Sequence, residues 1–209
     1  MTTRLIAILV FACSGILPAQ QTDPRPTLPE LVRRFGPTPV HQSRTRDLAI
    51  QSLESALPEA ELVVYGTVER ATTYLSADQK DLFTDYLIMP LRIVRQPPRP
   101  PDTRPGRRQP AVVPIILTRW GGQMTIDGVQ VTQEDRDLRS FGDGERVWLL
   151  LAHDGVGQKY RLVSLCGALS VDGSGLRPIA KDFADHALFE RFREMTIPQF
   201  EAEIRRLSR

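Results

Sequence analysis

Glu61-Leu62-Val63-Val64-Tyr65-Gly66-Thr67-Val68 is the stretch that decides the fold. Its β-branched and aromatic residues suit a pleated surface and lose side-chain freedom in a helix, so it reads as a strand. Gly66 has no side chain to pack there and marks a bulge or a sharp bend. Over 82–94, Phe83, Leu87, Met89, Leu91 and Ile93 share one alternating face. Pro90 in that run lacks an N–H for the ladder and asks for an edge or bulged position. Further strands are predicted at 112–119, 124–126 with 129–132, 146–152 and 160–171. Asp127-Gly128, Asp143-Gly144, Asp154-Gly155 and Asp172-Gly173 supply the positive φ of tight turns, which gives a meander of hairpins with barrel-like curvature.

On either side of this region the pattern changes. Pro24, Pro26, Pro29, Pro37 and Pro39 stand among polar residues, so 20–47 reads as a Pro-rich tether around one helical turn at 31–35. Leu48, Ile50, Leu53, Ala56 and Leu57 have helical spacing up to Pro58. Over 179–209, Ala184, Leu188, Phe192 and Met195 form one stripe. Ile197, Phe200, Ile204 and Leu207 form a second behind a Thr196/Gln199 capping box, leaving Glu201, Glu203, Arg205 and Arg206 for water. These are amphipathic helices expected to cover the domain.

At the N-terminus, Arg4 precedes the apolar run from Leu5 to Ala12, and Leu17-Pro18-Ala19 follows. The run breaks at Ser14, Gly15 and Pro18, short of the roughly 20 residues a spanning helix needs, so 1–19 reads as a signal peptide and the protein as exported, periplasmic or extracellular. Cleavage after Ala19 is one route. The other treats Val10-Phe11-Ala12-Cys13 as a loose lipobox, with lipid on Cys13 anchoring the protein in the envelope. Membrane association is expected only on that second route.

The composition, 41% hydrophobic and 25% charged in 209 residues, is that of a folded domain with one core. A net charge of +2 gives no electrostatic reason to expect nucleic acid as a partner. Of the 27 basic residues only Lys80, Lys159 and Lys181 are lysine, a bias that fits a GC-rich genome. After cleavage at Ala19, Cys166 alone remains and reads as a small buried hydrophobe.

Catalytic and metal motifs are sparse. His41, His153 and His186 have no zinc-site spacing, and no nucleophile elbow, phosphate loop or dinucleotide fingerprint occurs. His153-Asp154 meeting Cys166 or Ser164 would favour catalysis. No catalytic residue, metal or cofactor is therefore predicted. The most distinctive segment is QPPRPPDTRPGRRQPA over 96–111, where six prolines alternate with Arg99, Arg104, Arg107 and Arg108 against Asp102. Stiff, solvated polyproline backbone would display these guanidinium groups to an envelope protein or an anionic polymer, or would serve as a plain strand connection.

Over 61–171 the order of features resembles a family of uncharacterised exported bacterial proteins. The resemblance rests on the strand from Ala60 to Val68, Thr84-Asp85-Tyr86, Gly121-Gly122, Gly144 to Leu151, and Cys166 to Val171. More distantly, with Leu165-Cys166 in its closing strand, the order is similar to the barrel of tissue inhibitors of metalloproteinases and netrin-type modules. The resemblance implies a mainly β fold, an OB-like antiparallel barrel of five to six strands over 48–178. The inhibitors' N-terminal cysteine amine is lacking here after cleavage at Ala19, so inhibition is not carried over. A non-enzymatic binding or interaction module is expected, with Tyr65, Tyr86 and Trp120 as aromatics of a binding face; an envelope hydrolase or protease inhibitor is the alternative.

Overall fold

A computed structural model describes residues 25–45, 48, 51–96, 113–155, 158–173, 175–181 and 187–208. Along these run α1 (Leu28–Phe35), β1 (Val40–Arg44), α2 (Leu53–Glu59), β2 (Leu62–Leu75), β3 (Leu82–Arg95), β4 (Ile115–Trp120), β5 (Gly122–Ile126) and β6 (Val129–Asp135). β7 (Arg146–His153), β8 (Lys159–Leu162), a 3₁₀ turn at Leu165–Gly167, β9 (Ala168–Asp172), β10 (Gly175–Pro178), α3 (Ala187–Arg193) and α4 (Ile197–Leu207) follow.

The fold is mainly β, and its centre is a ring. β2 lies between β7 and β3, β3 pairs with β4, β4 with β8, and β8 returns to β7. Five strands thus form an OB-like, partly closed barrel ring, which leaves less free edge than an open sheet would expose. Every pair in the ring is antiparallel except β4 with β8, which is parallel and joins only Ile116 to Lys159 and Leu117 to Tyr160. The expected all-antiparallel barrel is corrected at this one seam. β9 and β10 extend the sheet outward from β7.

Gly66 is the bulge its position implied. The β2–β3 register shifts between Tyr65 and Gly66, and Gly66 faces Pro90 across the ladder. A Cβ there would lie 2.7 Å from both the Met89 carbonyl oxygen and Ile88 Cγ2, so only glycine lets the two strands close. Pro90 lies past the end of the β4 ladder, which stops at Ile88.

The face of β3 that turns inward is the other one. Leu82, Thr84, Tyr86 and Ile88 are buried, whereas Leu91 and Ile93 are 57% and 41% exposed. Apolar residues occupy both parities of this strand, so alternation alone could not choose between them.

The 124–126 and 129–132 strands do not enter the barrel. After β4 the chain turns at Gly121 (φ 97°) and Gly122 (φ 141°) into β5, which forms a three-stranded sheet ordered β1, β6, β5. β1 runs parallel to β6 from Val40 opposite Val131 to Arg44 opposite Asp135. The described part of the expected tether is therefore folded: Thr27 and Glu30 make a reciprocal capping box that starts α1. Leu28, Leu31 and Val32 bury against Val40, Leu82, Ile126, Val129 and Val131. This second core stands beside the main one, where a single core was expected.

Helices close the opposite side of the barrel. Phe200 packs edge-on to Trp148, 5.5 Å between centroids, and Trp148 stacks on Tyr65 at 5.3 Å. The Gln199 side chain accepts the Thr196 N–H at 2.8 Å. Glu201, expected in water, is buried at 6% exposure, where Arg92 and Arg205 both donate to it. α2 starts at Leu53 and carries Pro58 in its last turn, where it removes one i→i−4 hydrogen bond, and the helix ends one residue later at Glu59.

Candidate functional site

The parallel seam makes the site. Beyond Leu117 and Tyr160 the ladder between β4 and β8 ends, and both strands run on without pairing to each other. The gap is a cavity of about 350 Å³, lined by Thr118, Arg119 and Trp120 on one lip and Arg161 and Leu162 on the other. Arg44 at the end of β1, with Thr45 and Leu48 after it, caps it, and Phe83 and Leu138 complete the walls. A cavity of this size, in which apolar walls alternate with charged and hydroxyl side chains, is of the kind that takes a small organic ligand.

Its floor is an ion pair. Arg119 and Asp135 are each 6% exposed, with 3.6 Å between Nη2 and Oδ2. Arg119 also donates to the carbonyl oxygens of Arg139 at 2.8 Å and Leu138 at 3.3 Å. Its guanidinium lies over the Phe141 ring at 5.2 Å and the Tyr86 ring at 6.0 Å. Asp135 accepts the backbone N–H of Asp137 at 3.0 Å and of Leu138 at 3.2 Å. Each charge is thus hydrogen-bonded as well as paired, the condition under which burying it is tolerable.

The rim is different. Arg44 and Arg161 are exposed, and among the described residues neither side chain makes a hydrogen bond or an ion pair. Asp154 also lines the mouth and pairs with neither arginine. Among the described residues, two cations therefore face one carboxylate at the opening.

Beside the cleft, a polar cluster occupies the outer barrel surface. Asp85 accepts from Thr118 Oγ1 at 2.6 Å, from Tyr74 Oη at 3.2 Å and from Lys159 Nζ at 2.7 Å. Lys159 sits 4.7 Å over the Tyr74 ring, and its hydrogen bond to Asp85 pushes its pKa above the usual lysine range. Tyr74 in turn stacks on Phe83 of the cleft wall at 6.2 Å.

The aromatics expected on a binding face are mostly elsewhere. Tyr86 is 4% exposed inside the barrel, and Tyr65 is held against Trp148. Trp120 does line the cleft, although it is 5% exposed and its indole N–H donates to Asp81 at 2.9 Å. Arg99, Arg104, Arg107, Arg108, Cys13 and His186 lie outside the described residues. His153 is exposed, its Nδ1 accepting the Gly155 N–H at 3.0 Å. Cys166 is buried beside Ser164 at 3.3 Å, and burial pushes its thiol pKa up, the opposite of an activated nucleophile. His41 is exposed and faces Glu134 at 3.7 Å.

Arg119, Asp135, Arg44 and Arg161 were not singled out from sequence, although two of them had a signal. Ile115, Leu117 and Arg119 share one strand face, as do Val129, Val131, Gln133 and Asp135, so each charge ends an inward row that begins with apolar residues. Among the described residues no cluster of three His, Cys, Asp or Glu side chains is placed to hold a metal ion, and no helix is long and apolar enough to cross a membrane. No protein-family model matches the chain, and no curated protein matches it.

Proposed function

We propose that this protein is an exported, non-enzymatic binding module of the cell envelope whose ligand seats in the cleft at the barrel seam. The observation that carries the reading is the divergence of β4 from β8, which leaves a 350 Å³ opening in an otherwise closed ring. A barrel needs no such gap for stability: two more ladder pairs would close it and satisfy more backbone groups. OB-like barrels bind ligands on the face that corresponds to β3 and β4, and Phe83, Thr118 and Trp120 put the cleft on those strands. The export part of the reading rests on the apolar run from Leu5 to Ala12.

A fragment screen by ligand-observed NMR tests this, using the wild-type protein and Thr45→Trp. Thr45 is an exposed residue at the cleft mouth outside any strand, so the larger side chain fills the opening without touching the barrel ladders. Fragments that bind the wild type and are lost in Thr45→Trp support the reading. An identical hit list for both proteins, or an empty one for the wild type, overturns it.

A further inference from the structure

The chemistry of the cleft rim points to the class of ligand, an inference that rests on the cleft being the binding site. We infer that the cleft takes an organic anion, a compact apolar body with a carboxylate or phosphate group held at the mouth by Arg44 and Arg161.

Most exposed guanidinium groups among the described residues find partners, although Arg70 and Arg146 do not, so it is convergence on one opening that sets Arg44 and Arg161 apart. Arg139 pairs with Glu145, Arg191 with Glu54 and Glu203, Arg205 with Glu201, and Arg206 with Glu203. Arg44 and Arg161 do not, among the described residues, although Asp154 lines the same cavity. They come from separate parts of the chain, one at the end of β1 in the small sheet and one on β8 of the barrel, and converge on a single opening. Guanidinium is planar, permanently charged and weakly hydrated, so it binds carboxylate or phosphate through paired N–H donors.

The interior explains why the ligand enters with its charge outward. Phe83, Leu48, Leu138 and Leu162 offer apolar contact, and the deep cation, Arg119, is already occupied by Asp135 and two carbonyl oxygens. An anion driven to the floor would meet the Asp135 carboxylate. At the rim it meets, among the described residues, two cations against one carboxylate, and that surplus charge favours it. The Thr118 hydroxyl is turned to Asp85 and adds nothing to the floor.

Isothermal titration with benzoate, phenyl phosphate and benzyl alcohol tests the inference on the wild type and on Arg44→Gln/Arg161→Gln. Both substituted residues are exposed and unengaged, so the variant retains the fold. Expected is binding of at least one anion roughly ten-fold more tightly than benzyl alcohol, about the effect of one charge-assisted hydrogen bond. That advantage disappears in the double variant and shrinks with added sodium chloride, while benzyl alcohol is unaffected. The stronger of the benzoate and phenyl phosphate arms identifies the anionic group. Benzyl alcohol binding as tightly as both anions, or anion binding unchanged in the double variant, overturns the inference and leaves the cleft standing as a site for neutral ligands. No binding by any of the three overturns this inference together with the cleft reading.

Discussion

Gly66 and the Arg119–Asp135 pair show how single residues set the shape of this barrel. At Gly66 the constraint is space: Gly66→Ala puts a methyl group 2.7 Å from the Met89 carbonyl oxygen, and backbone cannot move aside as a flexible side chain would. The expected cost is about 1–3 kcal/mol, the range for an overpacked site, read as a lowered denaturation midpoint in urea with an unchanged slope. At Arg119 the constraint is charge. Arg119→Met leaves the Asp135 carboxylate buried without its cation, which is expected to cost about 3–5 kcal/mol in the same measurement. Replacing Asp135 by leucine as well does not restore the lost stability, because Asp135 also accepts the N–H groups of Asp137 and Leu138. Full recovery in that double variant would show that the pair acts through charge alone. Lys159 gives a pH dependence. Its pKa is raised in the fold by Asp85, so its contribution is fully present below the ordinary lysine value and is lost as pH rises through the raised one. The wild type should therefore approach the stability of Lys159→Met on the strongly alkaline side, and equal pH profiles for the two would contradict the Asp85 contact.

At the scale of elements, α4 holds one side of the ring shut. Phe200 and Ile204 are fully buried, and Phe200 touches both Trp148 and Phe192. Phe200→Ala is expected to cost about 3–5 kcal/mol by transfer and cavity terms, measured by thermal or urea denaturation. A loss below about 1 kcal/mol would mean that α4 rides on the barrel without completing its core. This helix was legible in the sequence because its apolar stripe has the helical period and its capping residues stand at the right spacing. Most strands of the ring were legible too, although 160–171, expected as one strand, breaks into β8, a 3₁₀ turn and β9, and the positive φ at Gly128, Gly144, Gly155 and Gly173 matches the Asp-Gly turns. Pairing partners were not. Whether 124–132 joins the barrel or a separate sheet depends on β1, whose Val40-His41-Gln42-Ser43-Arg44 carries little alternation and follows two prolines. It becomes a strand by pairing with β6, a contact between residues about ninety positions apart that local pattern does not encode.

The whole molecule is a barrel with a small sheet set against its open seam. Gln133 ties the two together, its side chain accepting the Leu82 N–H and donating to Gln42 at 2.7 Å and to the Lys80 carbonyl at 3.1 Å. The cleft belongs to neither part alone, since Arg44 comes from the small sheet while Thr118 and Arg161 come from the ring. This is why the candidate site was hidden in the sequence: its groups are spread over 44–162 and only closure of the ring brings them together. The aromatic residues most visible in the sequence, Tyr65 and Tyr86, serve packing, and the arginines that face the opening resemble any other arginine in a chain rich in them. The most direct test of the cleft as a binding site is an amide chemical-shift titration of the isotope-labelled protein with the best fragment from the screen. The account predicts that the largest shifts fall on Arg44, Thr45, Thr118, Arg119, Trp120, Arg161 and Leu162, on both lips of the seam. Shifts confined to another surface, with these amides unmoved, would contradict it.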